Sequence, residues 1–199
     1  KAGVSSIIEA VRVLKEEGIP HGDVEVIITV GEETGLVGAK ALDIQNIKSK
    51  FGYAVDGTGE VGTVVNRAPS QTKVRTQIFG KKAHAGIEPE KGISAINIAA
   101  KAIAKMNLGR IDEETTSNIG TITGGQATNI VSDHCEILAE VRSLSDEKLQ
   151  SETDKIKTAF EETAKELGGS AEVDVELMYP SLYAKEDDVV ITTASEAIK

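Results

Sequence analysis

The stretch Val24–Ala39, VEVIITVGEETGLVGA, decides how this chain is read. Val24, Val26, Ile27, Ile28 and Val30 form a nearly continuous apolar run rich in β-branched residues, the pattern of a strand buried on both faces of a parallel sheet. The run stops at Gly31, and two adjacent acids, Glu32 and Glu33, precede a glycine-punctuated apolar segment that reads as a helix. The carboxylates therefore belong where a strand ends and a helix begins, the rim of an open α/β sheet where ligands bind. Adjacent carboxylates there can divide labour, one holding a cation and the other moving a proton. The plainer alternative is that they only favour a helix N-terminus through its dipole.

Upstream of this stretch, Val4, Ile7, Ile8, Val11 and Leu14 mark an amphipathic helix that Gly18 to Pro20 ends. A helix that feeds a buried parallel strand ordinarily follows an earlier strand, so further sequence is expected before Lys1. Downstream, Phe51, Tyr53, Ala54 and Val55 read as a second short strand that stops at Asp56-Gly57, placing a third acid on the same rim. Asp-Gly is also an ordinary turn signal. Three acids on one rim make a hard-cation site credible, although no His, the usual partner ligand, stands among them.

From about Asn66 the period changes. Val74, Thr76 and Ile78 alternate with Lys73, Arg75 and Gln77, as in a half-exposed antiparallel strand. Ile96, Ala99, Ala100, Ile103 and Met106 make a helical stripe, and Ser117 to Thr123 a strand before Gly124-Gly125. Cys135, Ile137, Ala139 and Val141 alternate with His134, Glu136, Glu140 and Arg142. Ser145 with Asp146 and Glu147 starts a helix that Gly168-Gly169 stops, and Val173, Val175, Leu177 and Tyr179 alternate in a last strand. The order β-α-β-β-α-β is a ferredoxin-like split unit. It reads as an α+β domain, residues 67–179, inserted into an α/β domain formed by residues 1–66 and, after Pro180, by the weakly helical end 180–199.

Composition narrows the class. With 199 residues, a net charge of −10 and no basic stripe, nucleic acid is excluded as the main partner. No apolar run approaches the length of a membrane span, and no signal peptide opens the chain. One cysteine, Cys135, leaves no internal disulfide framework and fits a reducing, cytoplasmic setting.

Three residues of the insert are candidates for chemistry. His84, in Ala83-His84-Ala85-Gly86, has the near-neutral side chain suited to donate to a developing oxyanion, although a loop His is more often simply solvated. Asn129 follows the glycine-rich Thr123 to Thr128, where a turn role is the plainer reading. Arg142 lies on the polar face of its strand, where it pairs with Glu140 or Glu172, or offers its planar fork to a substrate carboxylate. His21 precedes its strand, at the wrong end for the acidic rim, and His134 reads as a solvated strand position.

Taken in order, Gly31-Glu32-Glu33 with Gly35, Tyr53-Ala54-Val55-Asp56-Gly57, His84-Ala85-Gly86 with Pro89 and Lys91-Gly92, Asn129-Ile130-Val131 and Glu140-Val141-Arg142-Ser143 resemble the M20 metallopeptidases, and within them the peptidase T (tripeptide aminopeptidase) branch. The resemblance implies a zinc-peptidase-like α/β domain interrupted by a lid and dimerisation domain, hence a homodimer. It also implies two Zn2+ per complete subunit, with Co2+ or Mn2+ as alternatives, and short peptides as substrate. It makes Glu32 the general base, Glu33 and Asp56 metal ligands, His84 the oxyanion donor to the partner subunit's site, and Asn129 and Arg142 substrate-binding residues. The implied reaction is peptide hydrolysis by a metal-activated water whose proton Glu32 takes. Other members of the family are dipeptidases, carboxypeptidases and N-acyl amino acid deacylases, and a non-catalytic dimerisation module is a further alternative. The family's upstream His-x-Asp and bridging Asp and its downstream His have no counterpart in these 199 residues. The chain is therefore read as a fragment, expected to be inactive alone because two carboxylates without imidazole hold Zn2+ poorly.

Overall fold

The structure is a computed structural model that describes every residue except Thr58. Its helices are α1 (Ala2–Glu16), α2 (Val37–Lys40), α3 (Ala95–Ile103), α4 (Asp146–Glu166) and α5 (Val189–Ala197). Its strands are β1 (Arg67–Ala68), β2 (Ser70–Phe79), β3 (Gly109–Arg110), β4 (Thr115–Gly124), β5 (His134–Ser143), β6 (Ser170–Tyr179) and β7 (Leu182–Tyr183). The chain divides into two units, Lys1–Asn66 with Ala184–Lys199, and Arg67–Tyr183.

In the second unit the sheet order is β3-β4-β5-β2-β6, antiparallel throughout. The segment β2-α3-β4-β5-α4-β6 is the ferredoxin-like arrangement, its first and third strands side by side at the centre. Alternation along β2 and β5 turns Val74, Thr76 and Ile78, and Cys135, Ile137, Ala139 and Val141, onto one face, where all are buried. That face packs on α3 and α4, whose Ile98, Ile156 and Phe160 complete the core. Each such side chain contributes about 1.5–3 kcal/mol by leaving water. Ser145 caps α4, its hydroxyl accepting from the Lys148 N–H at 3.4 Å, and Gly168, at φ +79°, lets the chain leave the helix. A bulge at Gln71/Thr72 shifts the pairing of β2 with β6, and among the described residues β1 pairs with β7 alone.

The first unit departs from the expected sheet. Among the described residues, neither Val24–Val30 nor Phe51–Val55 is assigned to a strand, and both runs are exposed, Val30 at 75%. The physical reason is that parallel strands exist only through neighbours that satisfy their backbone groups, and this unit offers none among its described residues. The apolar run is pinned locally instead: Val30 O accepts from the Gly38 N–H at 2.9 Å, and the Glu25 carboxylate accepts from the Lys48 and Ser49 N–H groups. The expected helix after Glu33 shrinks to the four residues of α2. Tyr53 anchors the second run by donating its hydroxyl to Val190 O at 2.8 Å. No described helix is long and apolar enough to cross a membrane.

Candidate active site

Glu32 and Glu33 sit in a tight turn. The Gly35 and Leu36 N–H groups both donate to Glu32 O at 3.1 Å, and the Thr34 hydroxyl donates to Gly31 O. Gly31, Gly35 and Leu36 all adopt positive φ, +69°, +99° and +61°. For a residue as bulky as leucine this backbone is strained, at about 1–3 kcal/mol, and such strain gathers at functional sites. Leu36, with no side-chain cap, is the N-cap of α2, and no acid lies in that helix's first turn. The helix-capping alternative for the Glu pair therefore has no geometric support, and both carboxylates stand exposed. Asp56 ends the second apolar run, also exposed. Among the described residues no hydrogen bond or ion pair joins it to the Glu pair, and no three His, Cys, Asp or Glu converge where they would hold a metal ion. Glu33 and Asp56 are hard oxygen donors of the right kind for such an ion, but as a donor set they are incomplete.

In the second unit the structure brings His84 and Asn129 together. The Val131 N–H donates to Ala83 O and the Ala85 N–H to Asn129 O, both at 2.9 Å, and His84 bridges Ile130. Residues 83–85 and 129–131 thus make a two-stranded ribbon, rooted on the sheet where Gly80 N–H donates to Asp133 O at 2.8 Å. Behind His84 the chain curls back, the Ile87 and Glu88 N–H groups donating to His84 O. The Gly86 N–H donates to His84 Nδ1 at 3.2 Å. With Nδ1 accepting, the neutral ring carries its proton on Nε2, the nitrogen left free to donate outward.

Arg142 is not part of that cluster. It lies eight residues along β5 from His134, the end that roots the ribbon, roughly 27 Å away at a strand's rise. On the outer face of the sheet its Nε donates to Glu140 Oε1 at 2.9 Å and an Nη to Glu140 Oε2 at 3.3 Å. Of the two ion-pair partners expected from sequence, Glu140 is the one found, two residues back on the same strand. Gln71, directly across from Arg142 on β2, donates its amide to Glu140 Oε2 at 2.6 Å. Partial burial pushes the Glu140 carboxyl up, but the hydrogen bonds from Arg142 and Gln71 and the charges of Arg142 and Lys73 outweigh it and hold the group below its usual range. The same bond to Glu140 raises Arg142.

The pairing of the ribbon and the place of Gln71 are absent from the sequence reading, because both depend on register between segments distant in the chain. Leu36 leaves no signal in composition at all.

Comparison with known proteins gives these positions a context. The peptidase dimerisation domain of the M20 family matches residues 66–168, about half of the chain, and the M42 glutamyl aminopeptidase family matches residues 1–101. An uncharacterized Bacillus subtilis protein, YqjE, is 58% identical over 197 residues, 99% of this chain and 53% of that protein. The crystal structure of aminopeptidase PepT from Bacillus cereus superposes at a TM-score of 0.88 with 60% identity, over 98% of this chain and 52% of that one. A tripeptidase from Staphylococcus aureus superposes at 0.93 with 47% identity and the same coverage. The chain spans about half the length of these relatives. It belongs to the M20 peptidase family, carries that family's dimerisation domain in its middle, and is peptidase T-like.

Proposed function

We propose that the whole protein, of which these residues form a part, is a metal-dependent aminopeptidase acting on short peptides, tripeptides above all. The observation that carries this reading is the 60% identity to an aminopeptidase over 98% of the chain, a span that includes the strained Glu32–Leu36 turn. The reading calls for Zn2+, two per subunit, with Co2+ or Mn2+ as substitutes; a bound metal supplies the Lewis acidity that lets water attack at neutral pH. Glu33 and Asp56 would contribute carboxylate oxygens to that metal, with further donors from the rest of the protein to complete the set that is incomplete among the described residues. Glu32 takes a proton from the attacking water and returns it to the leaving amine. His84 donates Nε2–H to the developing oxyanion in the partner subunit's site, and Asn129 and Arg142 bind substrate, Arg142 through a substrate carboxylate.

The insert, 67–179, serves as lid and dimerisation domain between 1–66 and 180–199. Dimerisation through the part of β4 beyond its pairing with β3 is supported by its composition: residues 118–124 carry no charge and no proline, whereas the opposite edge, β6, presents Glu172, Asp174 and Glu176. The test is to give the whole protein unmodified tripeptides, dipeptides and N-acylated amino acids side by side. Preferential release of the amino-terminal residue from tripeptides supports the reading. Hydrolysis confined to acylated amino acids would move the protein to the deacylase branch.

A further inference from the structure

The ribbon that carries His84 is mounted at one corner of the second unit, where the sheet, the start of α3 and both ribbon arms meet. One arm is locked by backbone alone: Lys81 and Ile93 exchange N–H to O bonds at 2.9 Å each, and a Cβ on Gly80 would stand 2.0 Å from Ile93 O, so no side chain fits there. The other arm, residues 129–131, joins β5 through Ser132 and Asp133, and the proposed reaction gives Ser132 no part.

Ser132 is buried and is held from two sides. Its carbonyl accepts the Ala95 N–H at 2.8 Å, tying the arm to the first residue of α3. Its hydroxyl donates to His134 O at 2.8 Å, bridging the residues over which the chain passes from ribbon into β5. The neighbouring N–H, of Val131, is the one that pairs with Ala83 O beside His84. The Lys82–Asp133 ion pair, at 3.6 Å, crosses the same corner, but it is exposed to water and contributes little. Ile130, opposite His84, stands three residues from Asp133, about 10 Å at a strand's rise. A tilt of about 6° at this root therefore carries His84 about 1 Å, a displacement that at a reacting group costs up to about a hundredfold in rate. A buried hydroxyl also needs a partner for its own sake, and that plainer role predicts lost stability with no link to His84.

We infer that Ser132 is a positioning residue: its hydroxyl fixes the angle at which the ribbon leaves the sheet, so that His84 Nε2–H arrives where the oxyanion develops. This rests on the reading of His84 as the oxyanion donor in the partner subunit's site.

The experiment is a double-mutant cycle on the metal-loaded whole protein. It measures kcat and KM for one tripeptide in the wild type, Ser132→Ala, His84→Ala and the double variant, with thermal unfolding recorded for each. Ser132→Ala removes the hydroxyl alone and leaves the carbonyl bond to Ala95 in place. The expected result is a roughly tenfold fall in kcat, the worth of one hydrogen bond, with KM moved less than about twofold because the oxyanion is absent from the ground state. In the His84→Ala background the same substitution is expected to change kcat by less than about twofold, since no donor is left to aim. An equal fall in both backgrounds assigns the hydroxyl to structure alone and overturns the inference. A loss confined to KM, or wild-type kcat in Ser132→Ala while His84→Ala is impaired, overturns it as well and leaves His84 in its role. Wild-type kcat in His84→Ala overturns the reading of His84 and the inference with it.

Discussion

Gly92→Ala is the smallest change that disturbs the His84 ribbon without touching its chemistry. The backbone of Gly92, φ −92° and ψ 159°, is open to any residue, so glycine is required there for space and not for conformation. A Cβ at this position would stand 2.9 Å from Ala83 Cβ, 2.9 Å from Val131 Cγ1 and 3.0 Å from Val131 Cβ. Carbon atoms pack at about 3.5–4.0 Å, so Ala83 and Val131 must yield by roughly 0.5–1 Å. These are the two residues joined by the Val131 N–H to Ala83 O bond, immediately beside His84 and Ile130. Overpacking of this kind costs about 1–3 kcal/mol of stability. A misplacement approaching 1 Å at a reacting group costs up to about a hundredfold in rate. The expected outcome in the whole protein is therefore a ten- to hundredfold lower kcat on a tripeptide together with a lowered unfolding temperature, read by steady-state kinetics and calorimetry. Gly86→Ala is the control, since its Cβ would meet His84 Cε1 at 3.7 Å and Nδ1 at 3.8 Å, ordinary contact distances. Wild-type kcat in Gly92→Ala, or equal damage from Gly86→Ala, would refute the reasoning.

Phe160→Ala empties a fully buried position at the centre of the α4 face and is expected to destabilise the second unit by about 3–5 kcal/mol, measured by denaturant unfolding. Asp112 accepts from the Glu114 N–H and lies 3.0 Å from Lys148 Nζ, which holds its carboxyl at about 2 against an ordinary 3.8. Because the folded value is the lower one, this contribution to stability is present above pH 3.8 and fades as pH falls towards 2. Asp112→Asn should therefore flatten the stability–pH curve in that window, and parallel curves for variant and wild type would count against the assignment. Thr121→Lys places a charge on the uncharged β4 edge and should convert a dimer to monomer in sedimentation, whereas an unchanged dimer locates the interface elsewhere.

How legible the molecule is from its sequence depends on where the partners of each segment lie. The alternation in β2 and β5 translates directly into burial because the two helices that cover their apolar face are in the same unit, whereas in the edge strand β6 Val173 is half-buried and Val175 and Leu177 stay exposed. Ser145 and Gly168 mark the ends of α4 because capping is a local event. The strand expected over Ser117–Thr123 extends to Thr115–Gly124, since pairing with β5 carries it past the apolar pattern. Val24–Val30 fails as a strand for the opposite reason: its composition asks for neighbours that this unit does not supply among the described residues. In the candidate site, Glu32 and Glu33 are visible as a pair, but the strained Leu36 that ends their turn is not. His84 and Asn129 are visible singly, while the ribbon that joins them and the close packing at Gly92 emerge only with register and packing. The same holds for Gln71, which reaches Glu140 across a sheet and not along a chain.

The most direct measurement is hydrolysis of an unmodified tripeptide by the whole protein and by its Glu32→Gln variant, with the metal content of both determined by elemental analysis. Turnover in the wild type and its loss in Glu32→Gln at equal metal content is the predicted result. Turnover that survives in Glu32→Gln, or that falls only in step with lost metal, would contradict the assignment of Glu32 as the base.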